Sequence, residues 1–149
     1  MYFPVVQGSS LSGREFNLPA DFEGDLNLVL IAFQRWQQEL IDTWLPAARR
    51  LVQTHSTLRY YELPTISRLN FVMRAFIDNG MRAGIPDPIA RATTITLYLD
   101  KSKFRQALEL PQEETIYVML VDRQGQILWR AEGEFTTEKG QELEQAVGP

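Results

Sequence analysis

The chain has 149 residues, 44% of them hydrophobic and 23% charged, which is enough for one hydrophobic core in a single globular domain and excludes collagenous or wholly disordered readings. It contains 0 Cys, so disulfides, thiolate nucleophiles, iron–sulfur clusters and cysteine zinc sites are excluded outright. The net charge of -4 argues against a general nucleic-acid binder, whose counterion-release term needs a basic face.

Residues 5–13 are small, polar and rich in Gly and Ser, so the sequence predicts a flexible arm over 1–13 and one domain over 14–149. Glu15, Phe16, Asn17 and Leu18 alternate before Pro19, as an edge strand does, because proline cannot donate to a central ladder. Residues 26–33 are nearly continuously apolar, the pattern of a strand covered on both faces and the best candidate for the sheet centre. From Trp36 to Val52 the apolar period becomes helical, predicting one long amphipathic helix kinked at Pro46. A second strand is expected over 58–63. A second helix should carry Leu69, Val72, Met73, Phe76 and Ile77 and end at Asn79 and Gly80, before a rigid Ile85-Pro86-Asp87-Pro88 connector.

Residues 93–99 are β-branched and aromatic enough for a strand, and a short helix over 102–108 follows. Residues 115–121 and 126–131 form a hairpin about Asp122-Arg123-Gln124-Gly125, with glycine where positive φ is cheap. Thr136 or Thr137 can cap a closing helix that turns Leu143, Ala146 and Val147 inward. Strands alternating with helices, then a hairpin and a helix, give an α/β domain of three layers around a mixed sheet. No run of about 18 apolar residues is present, and Met1-Tyr2-Phe3-Pro4 lacks the charged start of a signal peptide. A processed amino terminus would look the same. The expectation is a soluble chain of the cytoplasm, or of an organelle matrix after loss of a leader.

An apolar strand, a helix with an internal proline, a strand, a helix, and a final hairpin with a helix resemble a thioredoxin-like α/β/α fold. Counting from the aromatic Phe33, the redox cysteine positions of such oxidoreductases correspond to Gln38 and Ile41, and the kinking proline to Pro46. The cis-proline position corresponds to Ile116. The extra strand and helix over 93–108 resemble the peroxiredoxin-type elaboration. A narrower resemblance is carried by Leu28-Val29-Leu30-Ile31 with Phe33, Thr43-Trp44 with Pro46, Arg82 with Ile85-Pro86, and above all residues 117–130 followed by Gly133 and Thr136-Thr137-Glu138. These residues are similar to the mitochondrial ATP synthase assembly factors, a redoxin-like family without an obligatory thiol pair. Leu128 and Ile116-Tyr117 depart from the basic residue and the glycine-aromatic opening usual there.

The resemblance implies a non-catalytic binding protein with no cofactor, acting as an assembly or chaperone-like factor on membrane-complex subunits. The alternative is a thiol-independent enzyme or small-ligand binder using the same cleft, and a third reading is a dimerising module. Because a non-proline cis bond costs about 3 kcal/mol, the peptide before Ile116 should be trans. The candidate binding residues are Arg35, Trp36, Gln37, Gln38, Glu39, Ile41, Thr115 and Ile116, in a cleft at a helix start whose free backbone donors suit an anionic or peptide ligand. Solvated helix residues with Trp36 packed inward are the simpler reading of the same pattern.

His55, the only histidine, suits a helix carboxyl end better than a metal site, and neither Ser56 nor Ser67 makes a convincing triad partner. Glu113-Glu114 and Glu132-Glu134 read as surface charge, and the glycines at 8 and 13 do not make a phosphate loop. Lysine occurs only at Lys101, Lys103 and Lys139, whereas arginine is frequent, including Arg68, Arg74, Arg82 and Arg91. Arginine suits bidentate contact with an acidic partner, although these four are not contiguous and read equally as solvated helix faces.

Overall fold

The computed structural model describes residues 1–67 and 92–149. The expected second helix, its Asn79-Gly80 end, the Ile85–Pro88 connector and the arginines at 68, 74, 82 and 91 lie outside the described residues. The strands are β1 Val6–Ser10, β2 Glu15–Leu18, β3 Leu26–Ala32, β4 Leu58–Ser67, β5 Ile95–Leu99, β6 Tyr117–Asp122 and β7 Ile127–Glu132. They form one mixed sheet in the order β2-β1-β5-β4-β3-β6-β7. β4 runs parallel to β3 and β5, and the remaining pairs are antiparallel. The helices are a 3-10 turn Arg35–Gln37, α1 Gln38–Asp42, α2 Leu45–Thr54, α3 Lys101–Leu108 and α4 Thr137–Val147.

Strand alternation divides the core into two layers. Val29, Ile31, Tyr117, Met119 and Val121 face one side, where Phe3, Phe22 and, from α3, Phe104 and Leu108 cover them. Leu28, Leu30, Ile116, Val118 and Leu120 face the other, beneath Ile41, Trp44, Ala48, Leu51 and Leu143. The apolar run of β3 therefore serves both layers. Its one polar member, Asn27, is fully buried and fully used: Nδ2 donates to the Gly24 and Val121 carbonyls, and Oδ1 accepts from the Gly24 amide. The Leu26–Asp122 register between β3 and β6 is thereby tied to the turn that precedes β3.

Two sequence expectations need correction. Val6–Ser10, expected in an irregular arm, is a strand paired with β2 and β5. The small residue at its centre is what allows this: a Cβ on Gly8 would come within 2.7 Å of the Ile95 and Leu97 side chains. The expected helix over 36–52 is also divided. Thr43 and Trp44 donate to the carbonyls of Leu40 and Ile41, three residues back, and the chain then restarts as α2 with Pro46 in its first turn. Proline is accommodated there because a first-turn N–H has no helical acceptor.

Among the described residues, the edge strand, the last hairpin and the closing helix are as expected. β2 is an edge strand, and Gly125 turns the hairpin at φ 86. Thr136 caps α4 by accepting from the Lys139 amide, and Leu143 is buried. His55 caps α2, with Nε2 3.1 Å from the Gly148 carbonyl.

Candidate functional site

The site lies where the chain leaves β3, turns through Arg35–Gln37 into α1, and meets the segment entering β6. Gln37, fully buried, is its strut. Its Oε1 accepts from the backbone amides of Phe33 and Gln34 at 2.8 and 3.2 Å, and its Nε2 donates to the Glu113 carbonyl at 2.6 Å. Gln34 lies alongside, donating from Nε2 to the Glu113 carbonyl and to Glu114 Oε1, each at 3.0 Å. The Glu113 carboxylate is held in turn by Lys101 at 2.8 Å and Arg105 at 3.3 Å, so α3 is linked through Glu113 to the start of the helical segment.

The candidate residues divide into three groups. Ile41 and Ile116 both belong to the buried core layer that holds Trp44. The peptide before Ile116 is trans, as expected, and half-buried Thr115 precedes it. Gln38 turns away toward β4, donating from Nε2 to Asp42 Oδ1 and Glu62 Oε1 at 3.0 Å each. Arg35, Trp36 and Glu39 are exposed. Gln37 occupies the amide of the cap residue Gln34, and the nearby carboxylates of Glu39, Glu62 and Glu114 are unfavourable company for an anion at the helix start. Trp36 is not packed inward: the residue is 52% exposed, with its indole N–H donated to Gln34 Oε1 at 3.0 Å.

Gln38 and Ile41, where the resemblance places a redox pair, are an exposed amide and a core isoleucine, and Gln37 braces the backbone ahead of them. A family model for the ATP10 protein matches residues 1–148. The chain belongs to the ATP10 protein family. This is a family of ATP synthase assembly factors, as the sequence resemblance implied. No curated protein sequence matches the chain. Among solved structures, it resembles the exposed lipoprotein thioredoxin of Streptococcus pneumoniae, with TM-score 0.59 and 14% identity over 97% of this chain and 98% of that one. The thioredoxin domain of a Bacteroides vulgatus thiol-disulfide oxidoreductase gives TM-score 0.58 and 16% identity over 99% and 96%. StoA from Bacillus subtilis gives 0.54 and 12% over 98% of each chain. The fold is thus thioredoxin-like, in an ATP10 family member without cysteine, and thiol-disulfide chemistry by its own side chains is ruled out. Among the described residues no helix is long and apolar enough to cross a membrane.

Sequence reading does not single out Gln34, Asp42 or Glu62, and Glu113, expected as surface charge, is instead half-buried and paired with Lys101 and Arg105. The available signal was the density of amides, Gln34, Gln37 and Gln38 within five residues of a strand end, which apolar periodicity does not weigh. Glu62 has a chemical consequence. Burial pushes its carboxyl above the ordinary carboxylate range, the Gln38 hydrogen bond pulls it down, Asp42 pushes it up again and Arg49 opposes that. A carboxyl that holds its proton more tightly when folded weakens the fold as pH rises through its folded pKa. Glu62→Gln, which keeps an acceptor for Gln38, should therefore raise Tm at pH 7. The gain should vanish in acid, below the pKa of an unfolded glutamate, and thermal melts of both proteins from pH 3 to pH 8 measure it.

Proposed function

We propose that the protein works by recognition rather than electron transfer, as an assembly or chaperone-like factor that engages subunits of a membrane complex, ATP synthase being the one its family implies. The observation that carries this reading is Trp36. Its ring stays half exposed while its polar edge is already bonded to Gln34, which is itself anchored on Glu113. A rigid aromatic with an internally satisfied N–H offers a partner apolar surface at little ordering cost, the usual character of an interface anchor. We assign Arg35, Glu39 and Thr115 to the polar rim of this face, with Gln38, turned toward Glu62, at its β4 border. Gln37, Ile41 and Ile116 support that face from within and are packed rather than open, which weighs against a small-ligand site in the same cleft.

The test is affinity capture of the tagged protein from detergent-solubilised membranes of the cells that make it, with bound proteins quantified by mass spectrometry. ATP synthase membrane subunits should be enriched over an untagged control. Enrichment of other proteins without any ATP synthase subunit would overturn the assembly reading.

A further inference from the structure

The surface around Trp36 is aromatic and acidic. Because the indole N–H is already donated to Gln34 Oε1, what the exposed side chain offers outward is its ring, whose π faces carry partial negative charge. The same Gln34 amide donates from Nε2 to Glu114 Oε1 at 3.0 Å, which fixes a carboxylate one amide group away from the indole. Glu39 follows Trp36 by three residues, the spacing at which side chains of a 3-10 turn running into a helix share a side. Both glutamates are exposed, and neither is in a salt bridge among the described residues. Lys101 and Arg105, the cations that reach this segment, both pair with Glu113 instead. Arg35 is also exposed, but it precedes Trp36 by one residue and so lies about 120° round the turn from it.

We propose that the Trp36 ring receives an arginine side chain from the basic flank of a partner's membrane-spanning segment, its guanidinium stacked on the indole and drawn to the carboxylates of Glu39 and Glu114. This rests on the reading of Trp36 as the recognition face and adds the chemistry of what that face takes. Three other occupants fit worse. An anion meets two carboxylates and a negative ring face. A leucine or phenylalanine side chain covers the ring but strips water from Glu39 and Glu114 without giving either a partner. Lysine supplies the charge as a compact, strongly hydrated head, whereas guanidinium is planar, weakly hydrated and stacks on aromatic faces. Membrane proteins concentrate Lys and Arg within about 15–20 residues of the ends of their spans, so a subunit of a membrane complex carries such a side chain beside apolar residues.

The probe is a capped peptide of about twelve residues in which a pair of arginines adjoins a few leucines, the remainder being serine and glycine. Its control carries citrulline in place of both arginines, which keeps the planar head and removes the charge. Binding to the purified protein is followed by heteronuclear NMR through the indole N–H signals of its 3 tryptophans. The Trp36 signal should shift saturably, and those of buried Trp44 and half-buried Trp129 should not. The arginine peptide should bind about five- to tenfold more tightly than the citrulline peptide, and the difference should shrink as salt is raised. Trp36→Leu, which keeps an apolar side chain, should weaken the arginine peptide about fivefold or more, and Trp36→Phe less, because indole is the stronger cation–π partner. Backbone amides of the turn report binding in these two variants. Glu39→Gln and Glu114→Gln should each cost about two- to threefold. Glutamine at 114 keeps an oxygen for Gln34 Nε2, so the indole stays oriented. All three positions are exposed, and unchanged melting temperatures check the fold.

Equal affinity for the arginine and citrulline peptides, with both lost in Trp36→Leu, would overturn the proposal while leaving Trp36 as an apolar anchor. An arginine peptide whose affinity Trp36→Leu does not change would overturn the proposal and count against the Trp36 reading as well. If the Trp36 signal does not move at about 2 mM peptide, the proposal falls, and the effect of Trp36→Ala on complex assembly decides the underlying reading separately.

Discussion

Replacing Trp44 with alanine should cost about 3–5 kcal/mol of stability, the range for emptying a large aromatic site in a close-packed core. Trp44 is fully buried at the junction of α1 and α2. Its ring meets Phe135 edge-on at 5.2 Å and Trp129 at 6.2 Å, and its Nε1 donates to the Gly133 carbonyl at 3.0 Å. One side chain thus joins the break in the helical segment, the hairpin strand β7 and the turn leading into α4. Alanine removes all three contacts at once, and little can collapse into the space because sheet and helices are tied on either side by backbone hydrogen bonds. Trp44→Phe keeps most of the packing and gives up the hydrogen bond, so it should cost markedly less than Trp44→Ala. Guanidinium unfolding of both variants reads the difference. Equal costs would mean that the ring's packing is not what stabilises this layer.

Gln37→Leu should cost about 2–4 kcal/mol although leucine is close in size, because the loss is polar rather than steric. Leucine leaves the amides of Phe33 and Gln34 without the oxygen that serves them, in a place where water cannot easily follow, and deprives the Glu113 carbonyl of one of its two donors. Gln37→Glu separates the two halves of the strut. A carboxylate still accepts from both amides but faces the Glu113 carbonyl without a proton to offer, so the protein should be weakened at neutral pH and regain stability as the new carboxyl is protonated in acid. Hydrogen exchange at the Phe33 and Gln34 amides gives a local readout. Protection should survive in Gln37→Glu and fall in Gln37→Leu by more than the global loss of stability accounts for. Unchanged protection in Gln37→Leu would show that these amides are satisfied by other means.

The elements that the sequence makes legible are those whose pattern is set by burial on known faces. β3 is apolar throughout because both layers pack on it, and the last hairpin and α4 carry their own local signals at Gly125 and Thr136. β1 is illegible for the opposite reason. Its Gly8 and neighbouring serines disfavour a strand locally, and the partner that makes one, Leu97, is far along the chain. Helical periodicity makes Pro46 a kink within one helix. The local capacity of Thr43 and Trp44 to close tighter turns instead places it at the start of a new one.

The candidate site divides in the same way. Counting from Phe33 locates the vestigial redox positions. The roles of Gln34, Glu62 and Glu113 depend on contacts between segments 24 to 80 residues apart, which no local pattern records. The exposure of Trp36 escapes helical periodicity because the residue sits in a 3-10 turn ahead of α1, with its indole N–H on Gln34.

Recognition through a rigid, outward-facing tryptophan is the claim on which this reading rests, and Trp36→Ala tests it most directly. In cells lacking the native gene and complemented with either protein at matched abundance, assembled ATP synthase is measured by native gel electrophoresis with an in-gel activity stain. Assembly should fall at least severalfold with Trp36→Ala, while the purified variant keeps the Tm of the original within a few degrees. Full assembly with the stably folded variant would contradict the claim.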